Sequence, residues 1–303
     1  MPPKLRSPGV AWIRILTIAA AALGLGHAGQ AFAGNGANFV VYDHHTEDKG
    51  TTEIKVFNDL GRTSDSNTRY NAQLIEFEHA ITDQWVAALY LESHKEHGED
   101  GQFDGVRLES RYRLFDYGTP FNPVVYVEYT DKKESALFIT DAVGRTDEHE
   151  SSPPGHVEAK EREHEIEMKL ILGHDVSDRL RLGVNGIAEV NLKSGDLAFG
   201  YAAGLTYTLY EKEGGEKGER VAGDHARAGF DIAEVKLGVE LFGGAGDNVK
   251  GLTLEGSKTQ QYAGINLKTE FSNGAQVMLG GAFGLTPDSR DAVFRASVGW
   301  EFE

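Results

Sequence analysis

Histidines beside carboxylates are the side chains of this sequence whose types and spacing could bind a metal ion. His94 and His97 are separated by two residues, and Glu96, Glu99 and Asp100 lie next to them. Imidazole nitrogens combined with carboxylate oxygens are ligands for zinc, copper and nickel. His94 and His97 are therefore the predicted metal ligands, and a solvated polar loop of the same composition stays open as the alternative.

Other histidines also have acidic neighbours. His44 and His45 lie near Asp43 and Glu47, and three more histidines flank the acidic stretch 147–165. The acidic loops lack the ligand spacing of a calcium motif. The chain contains no cysteine, which excludes disulfides, thiolate ligands and a lipid-modified N-terminal cysteine. No G-x-G-x-x-G loop follows a predicted strand, so no cofactor is expected.

Serines near histidines are the other residues that bear on catalysis. Ser151 and Ser152 lie between His149 and His156, but no G-x-S-x-G turn is present. A nucleophile needs a base and an orienting group beside it, and nothing in the spacing supplies both. The chain is therefore not expected to be an enzyme.

The N-terminal residues have the three regions of a secretory signal peptide. Three basic residues precede an apolar run from Ile15 to Leu25, and Ala31 to Ala33 has the small-x-small pattern of a cleavage site. The run is too short to cross a bilayer as a helix, which needs about 20 residues. We predict cleavage after Ala33. The net charge of −17 argues against a nucleic-acid partner.

Alternation of apolar and polar residues predicts the fold. From Leu197 to Leu209 every odd position is apolar, whereas the even positions are Ala, Gly or Thr. Successive side chains of a strand point to opposite faces, so this pattern indicates one apolar face and one wet face. The C-terminal stretch repeats it, with Phe294, Val298 and Trp300 on the apolar side.

Twelve strands are predicted from this alternation. They are 52–58, 70–80, 85–93, 103–115, 123–131, 161–173, 179–191, 197–210, 230–242, 259–271, 275–285 and 292–302. A tilted membrane strand needs about 9–11 residues, whereas globular strands average about 5–6. Their lengths favour a transmembrane antiparallel up-and-down β-barrel over a soluble β-sandwich, which remains the alternative.

The connections alternate between short and long, as in outer-membrane barrels with short periplasmic turns and long outer loops. Short turns lie at 82–84 and 273–274, and the loops 132–160 and 243–258 are long and polar. The charged connection 211–229 is too long for this scheme. An open sheet would leave backbone groups unpaired in hydrocarbon, so the sheet must close. The predicted domains are a signal peptide at 1–33, an N-terminal periplasmic stretch at 34–51 and an outer-membrane barrel at 52–303.

Two segments resemble a known family. The hairpin from Leu74 to Tyr90, and the ending from Ala282 to Val293 that continues into Gly299 to Phe302, are similar to hairpins of the outer-membrane barrels called phenol-degradation (meta-pathway) proteins. The resemblance covers about a fifth of the chain and consists of strand and turn motifs. It implies a transporter-like barrel for small, including aromatic, molecules.

If the apolar faces contact lipid, the opposite faces line a lumen. The predicted lumen and selectivity residues are Glu76, Glu78, Arg107, Glu109, Arg111, Arg113, Glu128, Glu165, Glu167, Lys169, Arg179, Arg181, Glu189, Lys236, Lys268 and Arg295. Opposed charges in a pore create a transverse field that selects solutes. Packed ion pairs that fill a narrow barrel are the alternative.

The sequence thus predicts a passive pore or transporter-like barrel in the outer membrane of a Gram-negative bacterium. Its solutes would be small and polar or amphiphilic. The alternative is a plugged structural or surface-interaction barrel that presents acidic, histidine-containing loops. The expected partners are outer-membrane lipid, lipopolysaccharide, the outer-membrane assembly machinery and a small-molecule solute, with no nucleic acid.

Overall fold

The computed structural model describes residues 37–62, 68–146, 162–212 and 230–302. The predicted signal peptide, its cleavage site at Ala33, the serines near His149 and most of the connection 211–229 lie outside the described residues. Within these ranges no helix is long and apolar enough to cross a membrane.

The described residues form twelve long strands and one two-residue strand. They are β1 (Thr52–Arg62), β2 (Arg69–Thr82), β3 (Trp85–Glu96), β4 (Gln102–Arg113), β5 (Asn122–Lys133), β6 (Arg162–Ser177), β7 (Leu180–Asn191), β8 (Leu197–Glu211), β9 (Ile232–Asp247), β10 (Gly251–Leu252), β11 (Gln261–Phe271), β12 (Ala275–Gly284) and β13 (Ala292–Phe302). The twelve predicted strands are confirmed, and β10 only pairs with the last two residues of β9, Gly246 and Asp247.

The long strands form a closed antiparallel barrel in which neighbours in sequence are neighbours in space. β13 pairs with β1, and β9 pairs with both β8 and β11, so no long strand has a free edge. Closure satisfies the backbone hydrogen-bonding groups within the sheet, which is the condition for a sheet to stand in hydrocarbon.

The alternation assigns the two faces of the sheet as predicted. Leu182, Leu205 and Val298 point away from the barrel axis, and Val298 is 57% exposed. Their neighbours Arg181, Thr206 and Ser297 are buried on the inner face. A soluble sandwich would have packed the leucines and valines inward, so the barrel is the correct alternative.

The two ends of the barrel differ. The short turns, at 83–84, 178–179 and 272–274, lie together with the start of β1 and the end of β13, and we call this the short-turn end. The other end, with the connections 97–101, 134–161 and 248–260, is the long-loop end. Arg179 lies exposed in the turn 178–179, so its predicted place in the lumen is wrong. Strand β7 begins at Leu180, one residue later than predicted, so Arg179 belongs to the turn that precedes the strand.

Two segments outside the strands enter the barrel. Residues 37–47, which we call the N-terminal segment, pack against inward-facing side chains, and all but Tyr42 and His45 are buried. Residues 137–144, the inner loop, turn inward after β5 and form isolated bridges with β8 and β9. The sequence predicted a periplasmic stretch at 34–51 and an outer loop at 132–160. Of these ranges, residues 37–47 and 137–144 lie inside the barrel instead, because they bury apolar side chains such as Val40 and Ile139 there.

Inward-facing glycines make room for the N-terminal segment. A Cβ at Gly238 would lie 1.9 Å from the carbonyl oxygen of Ala37, and one at Gly173 would lie 2.3 Å from His44 Nδ1. At Gly183 it would lie 2.6 Å from the carbonyl oxygen of Tyr42. Only residues without a side chain allow backbone to approach backbone this closely, so these positions form the seat of the segment.

Candidate functional site

The N-terminal segment is anchored by one carboxylate of the wall, that of Glu240 in β9. Its oxygens accept hydrogen bonds from the backbone amides of Phe39, Val40 and Val41, the latter two at 2.9 and 3.1 Å. Asn266 Nδ2 donates to the same carboxylate at 2.9 Å. Buried amides without partners are costly. Glu240 therefore supplies the main polar attachment of the segment.

Amide and hydroxyl side chains hold the segment at two further points. Asn185 Oδ1 accepts from the backbone nitrogen of Tyr42 at 2.8 Å, and Asn185 Nδ2 donates to its carbonyl oxygen at 2.8 Å. Asn38 Nδ2 donates to Thr206 Oγ1 at 3.1 Å. The described part of the segment adds no strand to the sheet. Its attachment therefore depends on side chains, and its removal would break no strand pairing.

At the short-turn end the segment is fixed by an ion pair and by turn residues. Asp43 Oδ2 lies 3.0 Å from Arg181 Nη1, and both side chains are buried. The Thr46 hydroxyl donates to the carbonyl oxygen of Asp83 at 2.7 Å, and the Tyr117 hydroxyl accepts from the backbone nitrogen of Thr46 at 3.1 Å. The segment thus passes into the lumen from this end.

Arg295 connects the N-terminal segment with the inner loop. Its guanidinium forms a two-pronged pair with Asp59 at 2.6 and 2.7 Å. It also donates to the carbonyl oxygen of Phe39 at 3.1 Å and to that of Ile139. The ring centroids of Phe39 and Phe138 lie 3.9 and 4.3 Å from the guanidinium carbon of Arg295. One buried cation therefore holds both segments against β13.

The predicted lumen residues other than Arg179 lie on the inner face, and their charges are paired along the wall. Arg107 Nη2 lies 3.0 Å from Glu92, and Arg111 Nε lies 2.6 Å from Glu109. Lys169 Nζ lies 2.8 Å from Glu167. Pairing of neighbours weakens the transverse field that free opposed charges would create. The role of these residues in selectivity stays a prediction.

The cavity that the two inserted segments leave beside the wall is small. A cavity of about 60 Å³ lies between the N-terminal segment, the inner loop and the wall. This is room for about four to six water molecules. Rings line it at Phe57, Tyr90 and Tyr126, and cations line it at Arg107 and Lys169. Around this cavity the described residues fill the lumen, because the N-terminal segment and the inner loop lie against the wall.

Solved structures of outer-membrane barrels resemble the chain. An outer membrane channel from Pseudomonas putida F1 has a TM-score of 0.51 at 11% identity and covers 86% of this chain and 98% of that chain. The KdgM porin in complex with disordered oligogalacturonate has a TM-score of 0.47 at 8% identity, over 83% and 99%. The NanC porin has a TM-score of 0.43 at 10% identity, over 83% and 99%.

The likeness to the Pseudomonas channel, with the closed twelve-stranded sheet, decides the fold. The chain folds as an outer-membrane β-barrel. No family model and no curated protein sequence matches it. The resemblance of its hairpins to the phenol-degradation family therefore stays a prediction from motifs.

The predicted metal ligands His94 and His97 are not brought together. His94 is buried, with Nδ1 2.8 Å from both oxygens of Asp104 and Nε2 2.7 Å from Gln102 Nε2. His97 is exposed beyond the end of β3, and its backbone nitrogen donates to Arg69. Among the described residues, neither histidine belongs to a group of three ligands close enough for one ion. The geometry does not support this pair as a metal site.

Several contact residues of the site were not predicted. Asp59 lies one residue beyond the predicted end of β1, and Asp43 lies in the stretch that was placed outside the barrel. Extending the alternation of β1, in which Glu53 and Lys55 face inward, would have found Asp59. No sequence pattern indicates that Asp43 pairs with Arg181, because the two are 138 residues apart.

Glu47, the last residue of the N-terminal segment, is buried where a charged carboxylate is unfavourable. Burial raises the pKa of its carboxyl well above the ordinary value of 4.5, and the nearby carboxylates of Glu53 and Glu301 raise it further. The pKa of Glu47 is raised only while the N-terminal segment is packed inside the barrel. The packed state of the segment therefore loses stability as the pH rises from 4.5 through that raised pKa. At low pH the carboxyl is neutral and the loss is absent.

Glu47→Gln is therefore expected to slow amide hydrogen exchange of the N-terminal segment at neutral pH. The amide side chain copies the protonated acid, so the difference from the unmodified chain should vanish below the ordinary pKa of glutamate. Exchange read by mass spectrometry on peptides spanning 37–47 measures this effect. Asp48→Asn, at the exposed neighbour, is the matched control and should change nothing. Equal exchange in Glu47→Gln and the unmodified chain at neutral pH would contradict the prediction.

Proposed function

We propose that this chain is an outer-membrane channel that is closed in this conformation by its own N-terminal segment. When the segment leaves its seat, ions and small solutes pass by diffusion, without catalysis. The observation that carries the proposal is the attachment of the segment, which depends on side chains such as Glu240 and on no strand pairing. The barrel wall is complete without it, so the segment can move while the sheet stays closed.

The side chains that line the cavity beside the N-terminal segment indicate which class of solute the barrel could pass. Aromatic rings and basic groups line the same cavity, with Tyr126 and Phe138 near Arg107 and Lys169. Rings attract the apolar part of a molecule, and cations attract an acidic group. We propose small polar or amphiphilic solutes, among them aromatic acids, as the cargo.

The apolar side chains on the outer face of the barrel support a location in the outer membrane. Aliphatic side chains such as Leu170 and Leu279, which are 52% and 58% exposed, would be costly in water and contact lipid readily. We propose that the short-turn end faces the periplasm, after removal of the signal peptide at Ala33. Lipid, lipopolysaccharide at the long-loop end and the assembly machinery are then the partners.

Loosening the main anchor tests the proposal. Glu240→Gln replaces one acceptor oxygen with an amide nitrogen that cannot accept from the amides of Phe39, Val40 and Val41. Loss of a hydrogen bond to a charged group costs about 1.5–3 kcal/mol, which corresponds to a tenfold or larger shift in an equilibrium. The open probability in a planar bilayer is therefore expected to rise about tenfold.

Glu234→Gln is the matched control, because Glu234 is a buried glutamate of the same strand. It accepts from Thr208 at 3.1 Å and lies 2.7 Å from Lys236 Nζ, both on the wall. Both variants should keep the shift in gel mobility on heating that a folded barrel gives. Equal open probability in Glu240→Gln and Glu234→Gln, with both barrels folded, would refute the proposed role of the segment.

A barrel that stays filled, and serves as a structural or surface-interaction protein, is the second candidate. The paired wall charges and the small cavity favour it. This candidate predicts no conductance in any variant that keeps the sheet closed. It also predicts that the acidic loops at the long-loop end bind a partner or ions independently of Glu240.

A further inference from the structure

Three side chains with metal-binding atoms meet where the N-terminal segment crosses the short-turn end. His44 Nε2 lies 3.2 Å from Asp175 Oδ2, and His45 Nε2 lies 3.0 Å from Asp175 Oδ1. All three ligand atoms lie within 4.8 Å of one another. The chain bends at His44, and both imidazoles direct Nε2 at the carboxylate of Asp175.

The spacing of these atoms suits a tetrahedral metal ion. Zinc binds histidine nitrogen and carboxylate oxygen at about 2.0–2.2 Å, which sets neighbouring ligand atoms about 3.4 Å apart in a tetrahedron. The nitrogen–oxygen distances of 3.0 and 3.2 Å are close to this value. Two imidazoles and one carboxylate also form a ligand set that zinc, copper and nickel prefer over calcium or magnesium.

Neighbouring residues hold the two histidine rings in place, and the side of the group at Asp175 is open to solvent. Gly173 has no side chain, and a Cβ there would lie 2.3 Å from His44 Nδ1, so glycine is what admits the His44 ring. The Tyr117 ring packs 5.0 Å from the ring of His45. Arg181 Nε donates to Asp175 Oδ1 at 3.2 Å, as second-layer donors do for ligating carboxylates. The Asp175 side chain is 40% exposed, so an ion and a water ligand can enter from solvent.

We propose that His44, His45 and Asp175 form a binding site for one divalent transition-metal ion, of which Zn²⁺ is the probe. The ion joins the N-terminal segment, which carries the two histidines, to strand β6 of the wall, which carries Asp175. It completes its coordination with water. The site is independent of the proposed channel function, since a permanently filled barrel would bind the ion equally well.

Zn²⁺ titration of the full chain in detergent micelles, followed by calorimetry at neutral pH, tests the site. The unmodified barrel is expected to bind one equivalent. The double variant His45→Gln/Asp175→Asn is expected to bind about tenfold more weakly or worse, because loss of outer-layer partners alone costs 10- to 100-fold in affinity. His45 and Asp175 are chosen because they are less buried than His44. His97→Gln, at an exposed histidine outside the group, is the matched control.

Co²⁺ gives a second readout, because its visible absorption is far stronger in four-coordinate than in six-coordinate sites. The unmodified chain and His97→Gln should give the strong spectrum, and the double variant should not. Retained gel mobility on heating establishes that each variant is folded. The proposal is overturned if the double variant matches the unmodified chain in affinity and spectrum, if the unmodified chain binds no equivalent, or if His97→Gln loses binding.

Discussion

Deleting residues 37–47 is expected to raise the single-channel conductance of the reconstituted barrel several-fold. The segment occupies the interior between Glu240, Asn185 and Arg181, and the hydrogen bonds and ion pair that hold it there are made by inward-facing side chains. Removal of the segment exposes to water the inward-facing glycines against which it packs and the charged residues of the wall. Charged side chains freed of their partners, such as Arg181, become hydrated instead of remaining buried, so the barrel should tolerate the deletion.

The measurement is current through single barrels in a planar bilayer, with heat-dependent gel mobility to establish folding. A synthetic peptide of residues 37–47, added at the short-turn side, is the matched control, and it should return the conductance towards that of the full chain. A peptide with the same composition in scrambled order should have no effect. If the deleted barrel is folded and conducts no more than the full chain, the inner loop and wall side chains alone close the lumen.

The strands could be predicted from the sequence because their signal is local. In β8 each apolar residue has a small or hydroxylated neighbour, and this alternation depends on the geometry of single strands rather than on distant contacts. Closure followed from the cost of unpaired backbone in hydrocarbon. The error at Arg179 arose because the alternation in the sequence includes position 179, whereas strand β7 begins only at Leu180. Residue 179 is part of the tight turn before the strand.

The ion pairs were foreseeable only in part. Alternation places Arg295 and Arg107 inside the barrel, but it does not give the register that puts Asp59 opposite Arg295. Nor does it show that Arg295 also binds carbonyl oxygens of two segments outside the sheet. The register of β1 with β13 and the positions of the inserted segments depend on contacts between residues more than 130 positions apart, which a local pattern does not contain.

The N-terminal segment had two signals that can now be recognised. Residues 39–42, Phe-Val-Val-Tyr, are an apolar run beside no predicted strand, and such a run needs a place away from water. Glycines at inward positions of three strands, Gly173, Gly183 and Gly238, give a wall without side chains where a water-filled pore needs polar ones. Together they indicate that backbone from elsewhere packs against the wall.

A disulfide between the N-terminal segment and the wall is expected to hold the barrel closed. A Cβ at Gly204 would lie 3.2 Å from Val41 Cγ2, so cysteines at 41 and 204 come within reach of the 3.5–4.5 Å that separates Cβ atoms in a disulfide. The new Cβ would also lie 2.9 Å from the carbonyl oxygen of Val239, and β8 must shift slightly to admit it. The natural chain has no cysteine, so no other pair can form.

In a planar bilayer the oxidised double variant Val41→Cys/Gly204→Cys should lose the openings that the unmodified chain shows. Reduction with dithiothreitol should restore them in the same membrane. The single variants Val41→Cys and Gly204→Cys, oxidised in the same way, separate the effect of the cross-link from that of either substitution. Peptide mapping by mass spectrometry establishes that the disulfide has formed.

The deletion and the cross-link test different parts of the mechanism. The deletion asks whether the segment fills the conducting path, and the cross-link asks whether it must move for conduction. If deletion raises the conductance while the oxidised cross-link leaves the openings unchanged, solutes pass beside a seated segment, and the inner loop held by Arg295 becomes the moving part. If the cross-link abolishes the openings, displacement of residues 37–47 from Glu240 is the step that opens the channel.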